Sequence, residues 1–374
     1  MANTLRPLWL MQAPDHSGMS VANRNLAAGM IDIGVTPDIF VLRDGENAPD
    51  FEHIGVPVRI FPRLGNSITG GTAIREASLL GATLVHALAP DMLKRGERLA
   101  RKLDLPLLVT ANRLDESEIR SLADFRGQGI VAVSRAIRER IVNVAGIPQD
   151  RIRVIHNGLD LDRMPRPVFP EHNTTTSIFR TPVIGTLGHL SEKKGQRVFL
   201  QAVKILLERG LDAEFVILGD GPDRTALRGL ADELHVTKRV TFTPQTVSGQ
   251  LTQLDILVEP SLQEGLGMSV MQAMAMGVPV VATGVGGLYD LIEDGVTGVM
   301  VPANSPASLA DAIWRLLHNS GERTEMAKQA REIIEREFSA THVAQQLAEY
   351  YESCAESFRG WKNKENSVVG HFRP

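Results

Sequence analysis

The stretch Glu259-Pro-Ser-Leu-Gln-Glu-Gly-Leu-Gly-Met-Ser-Val-Met-Gln-Ala-Met-Ala-Met-Gly-Val-Pro279 decides how this chain is read. The short apolar run Ile256–Glu259 stops at Pro260, as a strand would. A Glu-Gly-Leu-Gly turn follows, and helical spacing takes over near Leu266. Free backbone N–H groups at a helix start, together with the helix dipole, make a site for phosphate. Glu264 stands at its mouth, where a carboxylate accepts hydrogen bonds from hydroxyls but repels a bare phosphate. An anion site beside a carboxylate suits a sugar diphosphate better than a simple phosphate. Gln272 follows eight residues after Glu264, about two helical turns along. Met268, Met271, Met274 and Met276 read as core filling.

Working outward, three more glycine-bearing turns lie in the same half. Gly185-Thr-Leu-Gly-His-Leu-Ser-Glu-Lys-Lys-Gly195 leaves a strand and opens a helix, with Lys193 or Lys194 placed to meet an anion. Leu218-Gly-Asp-Gly-Pro222 reads mainly as a structural turn, with proline near the first helical position. Val281-Ala-Thr-Gly-Val-Gly-Gly287 is a weak phosphate signal that lacks the dinucleotide-fingerprint spacing. Sixteen of the chain's 33 glycines fall in the 114 residues from Gly185 to Gly298. That segment therefore needs tight turns or close backbone approaches.

Beyond these turns, apolar runs alternate with helical patterns throughout. Strands are expected at Leu8–Gln12, Pro37–Leu42, Thr83–Ala87, Leu107–Thr110, Ile130–Val133 and Arg153–Ile155. In the second half they are expected at Pro182–Leu187, Glu214–Leu218, Val240–Thr243, Ile256–Glu259, Val278–Ala282 and Gly298–Val301. Such alternation argues for parallel strands joined by crossover helices. A proline-rich, aperiodic segment around residue 170 divides the chain. The organisation read is a first domain over 1–165, a linker over 166–181 and a second domain over 182–338. A last helix over 339–356 is a candidate to return to the first domain, and 357–374 reads as a poorly ordered tail. Two doubly wound α/β domains make the cleft between them the expected site, because ligands bind beyond the carboxyl ends of such strands.

Composition excludes several classes. No run of about 18 apolar residues suggests a transmembrane helix, and the N-terminal Leu8–Met11 run is too brief for a signal-peptide core. A single cysteine, Cys354, leaves no disulfide framework and no Cys-based metal cluster, so the expected setting is cytoplasmic. A net charge of −4 gives no footprint for nucleic acid. Lys94, Arg95, Arg98, Arg101 and Lys102 recur at helical spacing; they read as a solvated face, with weak peripheral membrane contact as the functional alternative.

Taken together, these motifs resemble the retaining family 4 (group 1) glycosyltransferases, over about residues 8 to 355. The glycine–lysine loop, Gly219–Gly221, the Glu264–Gln272 segment, Val133-Ser134, Asn157-Gly158-Leu159-Asp160 and Val285-Gly286-Gly287 with Asp290 carry the likeness. The resemblance implies a GT-B fold of two facing Rossmann-like domains. It implies a second domain that binds a nucleotide-sugar and a first that binds a glycan or lipid-linked acceptor, as in polysaccharide biosynthesis. By that resemblance Lys194 would sit on the diphosphate and Glu264 on the donor sugar; these two are the expected catalytic residues. Gly265, Leu266, Gly267 and Met268 would offer backbone amides, and Gly18, His189 and Gln272 would complete the donor site. His16, His86 and Asn112 are the acceptor-side candidates. The leaving diphosphate would be stabilised by fixed charge and amides, with retention of configuration and with neither cofactor nor metal.

Four positions depart from the family pattern. His189 stands where arginine is usual and donates one hydrogen bond where arginine offers two in parallel. Gln272 replaces a glutamate, Asn112 falls where histidine is common, and Pro244 occupies a place that is often glycine. A non-catalytic or altered-donor relative of the same fold is thus the alternative reading. A Rossmann oxidoreductase is disfavoured, because Ala13–Gly18 after the first strand lacks the Gly-X-Gly-X-X-Gly pattern.

Overall fold

The computed structural model describes residues 5–15, 17–62, 70–167, 169, 180–243 and 248–369. His16 and Pro244 lie outside the described residues, as does most of the expected linker. The chain divides into two compact units, Met1–Asp160 with Phe338–Pro374, and Leu161–Glu337.

The first unit holds a parallel seven-stranded sheet: β1 (Pro7–Met11), β2 (Asp38–Val41), β3 (Val58–Ile60), β4 (Leu84–Ala87), β5 (Leu107–Ala111), β6 (Gly129–Ala132) and β7 (Ile152–Val154). The spatial order is β3-β2-β1-β4-β5-β6-β7, reversing direction at β1 and β4. Leu8, Trp9 and Leu10 are fully buried, the uninterrupted apolar run expected of a strand covered on both faces. β3 is an addition to the sequence reading. It is a three-residue edge strand paired only with β2, and its side chains are partly exposed, so no buried run marks it.

The second unit repeats the scheme with β8 (Val183–Leu187), β9 (Glu214–Leu218), β10 (Val240–Thr243), β11 (Ile256–Glu259), β12 (Val280–Thr283) and β13 (Val299–Val301). Its order is β10-β9-β8-β11-β12-β13, again all parallel. β8 and β11 are neighbours at the reversal, in register through Ile256 opposite Ile184 and Leu257 opposite Gly185. Their outgoing loops therefore leave the same sheet edge side by side, which positions the site below. Helices Gln196–Glu208 and Pro306–His318 pack together over this sheet and bury Phe199, Val203, Ile313 and Leu316.

The final helix runs Ala340–Val369 and packs along helix Gly18–Asp32 of the first unit. It extends well beyond the expected 339–356, through most of what reads as a tail. The extension has local support: Phe358 and Trp361, three residues apart, stack, and Lys362 lies over Phe358 and pairs with Asp104. At the point of return, Leu159 donates to Phe338 O and Ala340 donates to Leu159 O, both at 2.8 Å. A side chain on Gly158 would stand 2.8 Å from Ala340 Cα, so glycine is required for the two chain segments to touch. The Asn157–Asp160 stretch thus serves a crossing of the backbone. Val133-Ser134 likewise serves structure, since the buried Ser134 hydroxyl caps helix Arg135–Arg140.

Candidate donor site in the second unit

Three loops leave the carboxyl ends of β8, β11 and β12 and are stitched together through their backbones. Leu262 and Gln263 donate to Lys193 O at 2.8 and 3.2 Å. Gly287 donates to Glu264 O at 3.0 Å, and Thr283 Oγ1 donates to Ser261 O at 2.6 Å. The contacts leave no room for side chains: a Cβ on Gly195, whose φ is +66°, would fall 2.0 Å from Pro260 O. One on Gly287 would fall 2.1 Å from Gly265 O. The Gly-Asp-Gly turn is pressed on the first loop in the same way, with Gly219 against Gly188 O and Gly221 against Leu190 O. Much of the glycine excess therefore serves close approach of one loop's backbone to another's, and the Gly-Asp-Gly turn is structural, as its sequence suggests.

On this platform Lys194 reaches two carboxylates. Its ammonium makes a short hydrogen bond to Glu264 and lies 3.4 Å from Glu259 Oε1. The lysine side chain is 23% exposed and that of Glu264 12%, whereas Glu259 is 1% exposed. Burial alone would lower the lysine's pKa; the charges of Glu259 and Glu264 outweigh it and hold the pKa above the ordinary value. Glu259 is further bonded by Ser261 Oγ at 2.5 Å and by Ser269 Oγ. Glu264 Oε1 takes the N–H of Gly265 at 3.1 Å.

Next to this cluster helix Met268–Ala275 begins. Its cap residue is Gly267, at φ +110°, which supplies no side-chain bond, and no acidic residue occupies the first turn. The helix start thus keeps backbone donors for an anionic guest. Leu266 and Gly267 are buried, while Gly265 and Met268 are partly open. Gln272 is half-buried further along the helix. His189 is exposed, and its carbonyl takes the side-chain amide of Gln196 at 3.2 Å. Lys194, Glu264 and Gly265–Met268 are brought together as expected. The sequence reading missed Glu259, Ser261 and Ser269; the available signal was an acid closing an otherwise apolar strand.

The remaining candidates belong to the first unit. Gly18 opens helix Gly18–Asp32 behind the Ser17 cap, with open space around its Cα. Asn112 follows β5 and donates to Leu88 O at 2.9 Å, so its amide is tied to the loop after β4. His86 corrects the acceptor-side expectation. It is fully buried in β4, with Nδ1 2.6 Å from Tyr351 Oη and Nε2 2.7 Å from Thr110 Oγ1. Trp9 Nε1 donates to the same tyrosine oxygen at 2.9 Å. The tyrosine hydroxyl then donates to Nδ1, which assigns the proton to Nε2. Burial pushes this histidine down to about 3, and it acts as a neutral bridge fastening the last helix to the sheet. Lys94, Arg98, Arg101 and Lys102 are exposed on helix Leu93–Leu103, as a solvated face requires. Among the described residues no helix is long and apolar enough to cross a membrane.

Two doubly wound parallel sheets, the second carrying a lysine–carboxylate cluster and an uncapped helix start at its carboxyl edge, define a Rossmann-like protein. Residues 16–163 match the model of glycosyltransferase family 4, and residues 181–319 match that of the group 1 glycosyl transferases. The chain belongs to this glycosyltransferase family. It is 34% identical to alpha-D-kanosaminyltransferase of Streptomyces kanamyceticus over 174 residues, 46% of this chain and 45% of that enzyme, so that match spans under half of either. It is 28% identical to D-inositol 3-phosphate glycosyltransferase of Corynebacterium urealyticum, with 93% of each covered. Its GT-B fold is shared with Anabaena Alr3699/HepE, solved in complex with UDP-glucose: TM-score 0.80, 22% identity, covering 93% of this chain and 100% of that one. Sucrose-phosphate synthase of Thermosynechococcus elongatus gives a TM-score of 0.75 at 19% identity, covering 94% of this chain and 100% of that one.

Proposed function

We propose that the chain transfers a sugar from a nucleotide-sugar to a glycan or lipid-linked acceptor, with retention of anomeric configuration and without a metal ion. The observation that carries this reading is Lys194, held by two carboxylates beside the uncapped start of helix Met268–Ala275. A diphosphate leaving group gathers negative charge as the glycosidic bond breaks. An ammonium and backbone N–H groups already fixed around it stabilise that charge with little reorganisation. Glu264, at the solvent edge of the pair, is placed to accept hydrogen bonds from hydroxyls of the donor sugar. The family of the chain and the UDP-glucose complex of Alr3699/HepE support the same ligand class.

The direct test is calorimetry and nucleoside diphosphate release with purified protein across nucleotide-sugars and acceptors. Binding with turnover supports the proposal; neither binding nor release with any donor would sink it. Binding without turnover favours a non-catalytic relative, the reading that His189 and Gln272 motivate. In that event the double substitution His189→Arg, Gln272→Glu should restore transfer. For a lipid-linked acceptor, the exposed cations of helix Leu93–Leu103 would supply weak peripheral contact. Co-sedimentation with anionic but not neutral vesicles tests that point.

A further inference from the structure

Glu259 enters the reading above only as one of two carboxylates on Lys194, yet its own surroundings are fully built. It closes β11 behind Ile256, Leu257 and Val258, each with no solvent exposure. A carboxylate in such a place is costly unless it is paired and hydrogen-bonded. Every partner it needs is present. Ser261 Oγ donates to Oε1 at 2.5 Å, Ser269 Oγ donates to Oε2, and Lys194 Nζ lies 3.4 Å from Oε1. Both serines are themselves buried. Glu264 is held less firmly: apart from Lys194 it has the adjacent Gly265 N–H and a 3.5 Å contact from Ser261, and it reaches solvent. The lysine thus has one partner locked into the sheet edge and one partner at the rim.

We propose that Glu259 is a positioning residue that keeps Lys194 beside the helix start Gly267–Ser269 when Glu264 releases the lysine to bind a donor sugar. The inference rests on the reading that Lys194 meets the donor diphosphate. Electrostatics favours an exchange of this kind. One ammonium between two carboxylates leaves a cluster with an excess negative charge, which opposes a diphosphate. Moving Glu264 onto sugar hydroxyls draws its charge away from the ammonium and frees N–H donors of the Lys194–Glu259 pair for the diphosphate. Glu259 cannot follow, because Ser261 and Ser269 hold its two oxygens. A lysine on a flexible four-carbon stem would otherwise lose its placement when Glu264 departs. Glu259 and Glu264 are the carboxylates within ion-pair reach of the ammonium among the described residues, and Ser269 is the hydroxyl that the helix contributes. Once Glu264 has turned away, Glu259 also keeps the lysine protonated against its burial.

The test is Glu259→Gln, which keeps shape and hydrogen-bonding capacity but removes the charge, read by UDP-glucose affinity as a function of pH, since the donor sugar is what draws Glu264 away. The natural protein should change by less than about twofold between about pH 7.5 and 9.5, because its lysine stays charged. Glu259→Gln should lose about tenfold over the same range, as its lysine begins to titrate. Glu259→Asp should bind UDP-glucose more weakly at every pH without gaining the alkaline loss, since it retains charge but not reach. A structural role alone would lower unfolding temperature and leave the pH profile unchanged, and an unchanged profile overturns the proposal. A second readout needs no ligand: titration of the Lys194 13Cε signal in Glu264→Gln and in Glu259→Gln with Glu264→Gln. The lysine should remain charged through about pH 10 in the first and titrate well below that in the second. If neither UDP-glucose nor any other nucleotide-sugar binds the natural protein, the donor reading fails. The lysine titration then decides separately whether Glu259 holds the charge, and equal titrations in the two variants refute it.

Discussion

Lowering the pH from about 7 to about 5 should destabilise the first unit by about 2 kcal/mol through His86 alone. The perturbation is mild acid, and the comparison is His86→Gln, whose amide cannot titrate in this range while every other titratable group is kept. In the folded protein burial holds His86 near 3, against 6.5 for a free side chain. The neutral ring is required, because Nδ1 accepts from Tyr351 while Nε2 donates to Thr110. Once unfolded, the ring takes up a proton as pH falls through 6.5, while the folded ring stays neutral down to about 3. Between those values the unfolded state binds one more proton, so stability falls with falling pH, by about 1.4 kcal/mol per unit at most. The stabilisation is fully present above 6.5 and is lost progressively toward 3. Integration gives about 2 kcal/mol from pH 7 to 5 and about 5 kcal/mol in all, as orders of magnitude. Urea unfolding followed by tryptophan fluorescence measures it, since buried Trp9 donates to the same tyrosine oxygen. The natural protein should show the slope, and His86→Gln, though less stable overall, should lack it. Equal slopes in the two proteins between pH 5 and 7 would refute the assignment of His86 as a buried neutral bridge.

Lys194→Ala should lower turnover by about 100-fold to 1,000-fold, the scale for one preorganised donor on a developing anion, read as UDP release. It should also cost about 2 kcal/mol in thermal unfolding, less than a fully buried pair because the ammonium meets solvent. Gly287→Ala should destabilise the second unit by about 1–3 kcal/mol and weaken UDP binding, because its methyl would meet Gly265 O and Leu266 Cα rather than a yielding side chain. Gly229→Ala is the contrasting control: nothing lies within 4 Å of its added methyl, so it should stabilise helix Arg224–Glu233 by about 0.5–1 kcal/mol.

Local pattern made most of the architecture legible. β9, β10 and β11 begin and end where the apolar runs do, and the other expected strands are found within two residues at each end. The glycine turns mark where the loops of the site lie, because conformational and steric demands are written in the residue that meets them. Weakly marked elements were lost: β3, a partly exposed edge with no buried run, and helix Ser320–Glu337, whose buried stripe of Met326, Ala327, Ala330 and Ile334 is thin among Arg and Glu residues. The two residues most misjudged share one cause. His86 and Glu259 are polar side chains at strand positions, and a strand's own sequence cannot say whether such a residue ends in solvent or in a sealed network. That depends on Tyr351, 265 residues from His86, and on Lys194, 65 residues from Glu259. The sequence alone determined the alternation of elements, the sites of the turns and the identity of the charged groups. Only the tertiary structure decided which charges meet, because sheet order sets β8 against β11 and β1 against β4, and burial then turns a nearby partner into a necessary one.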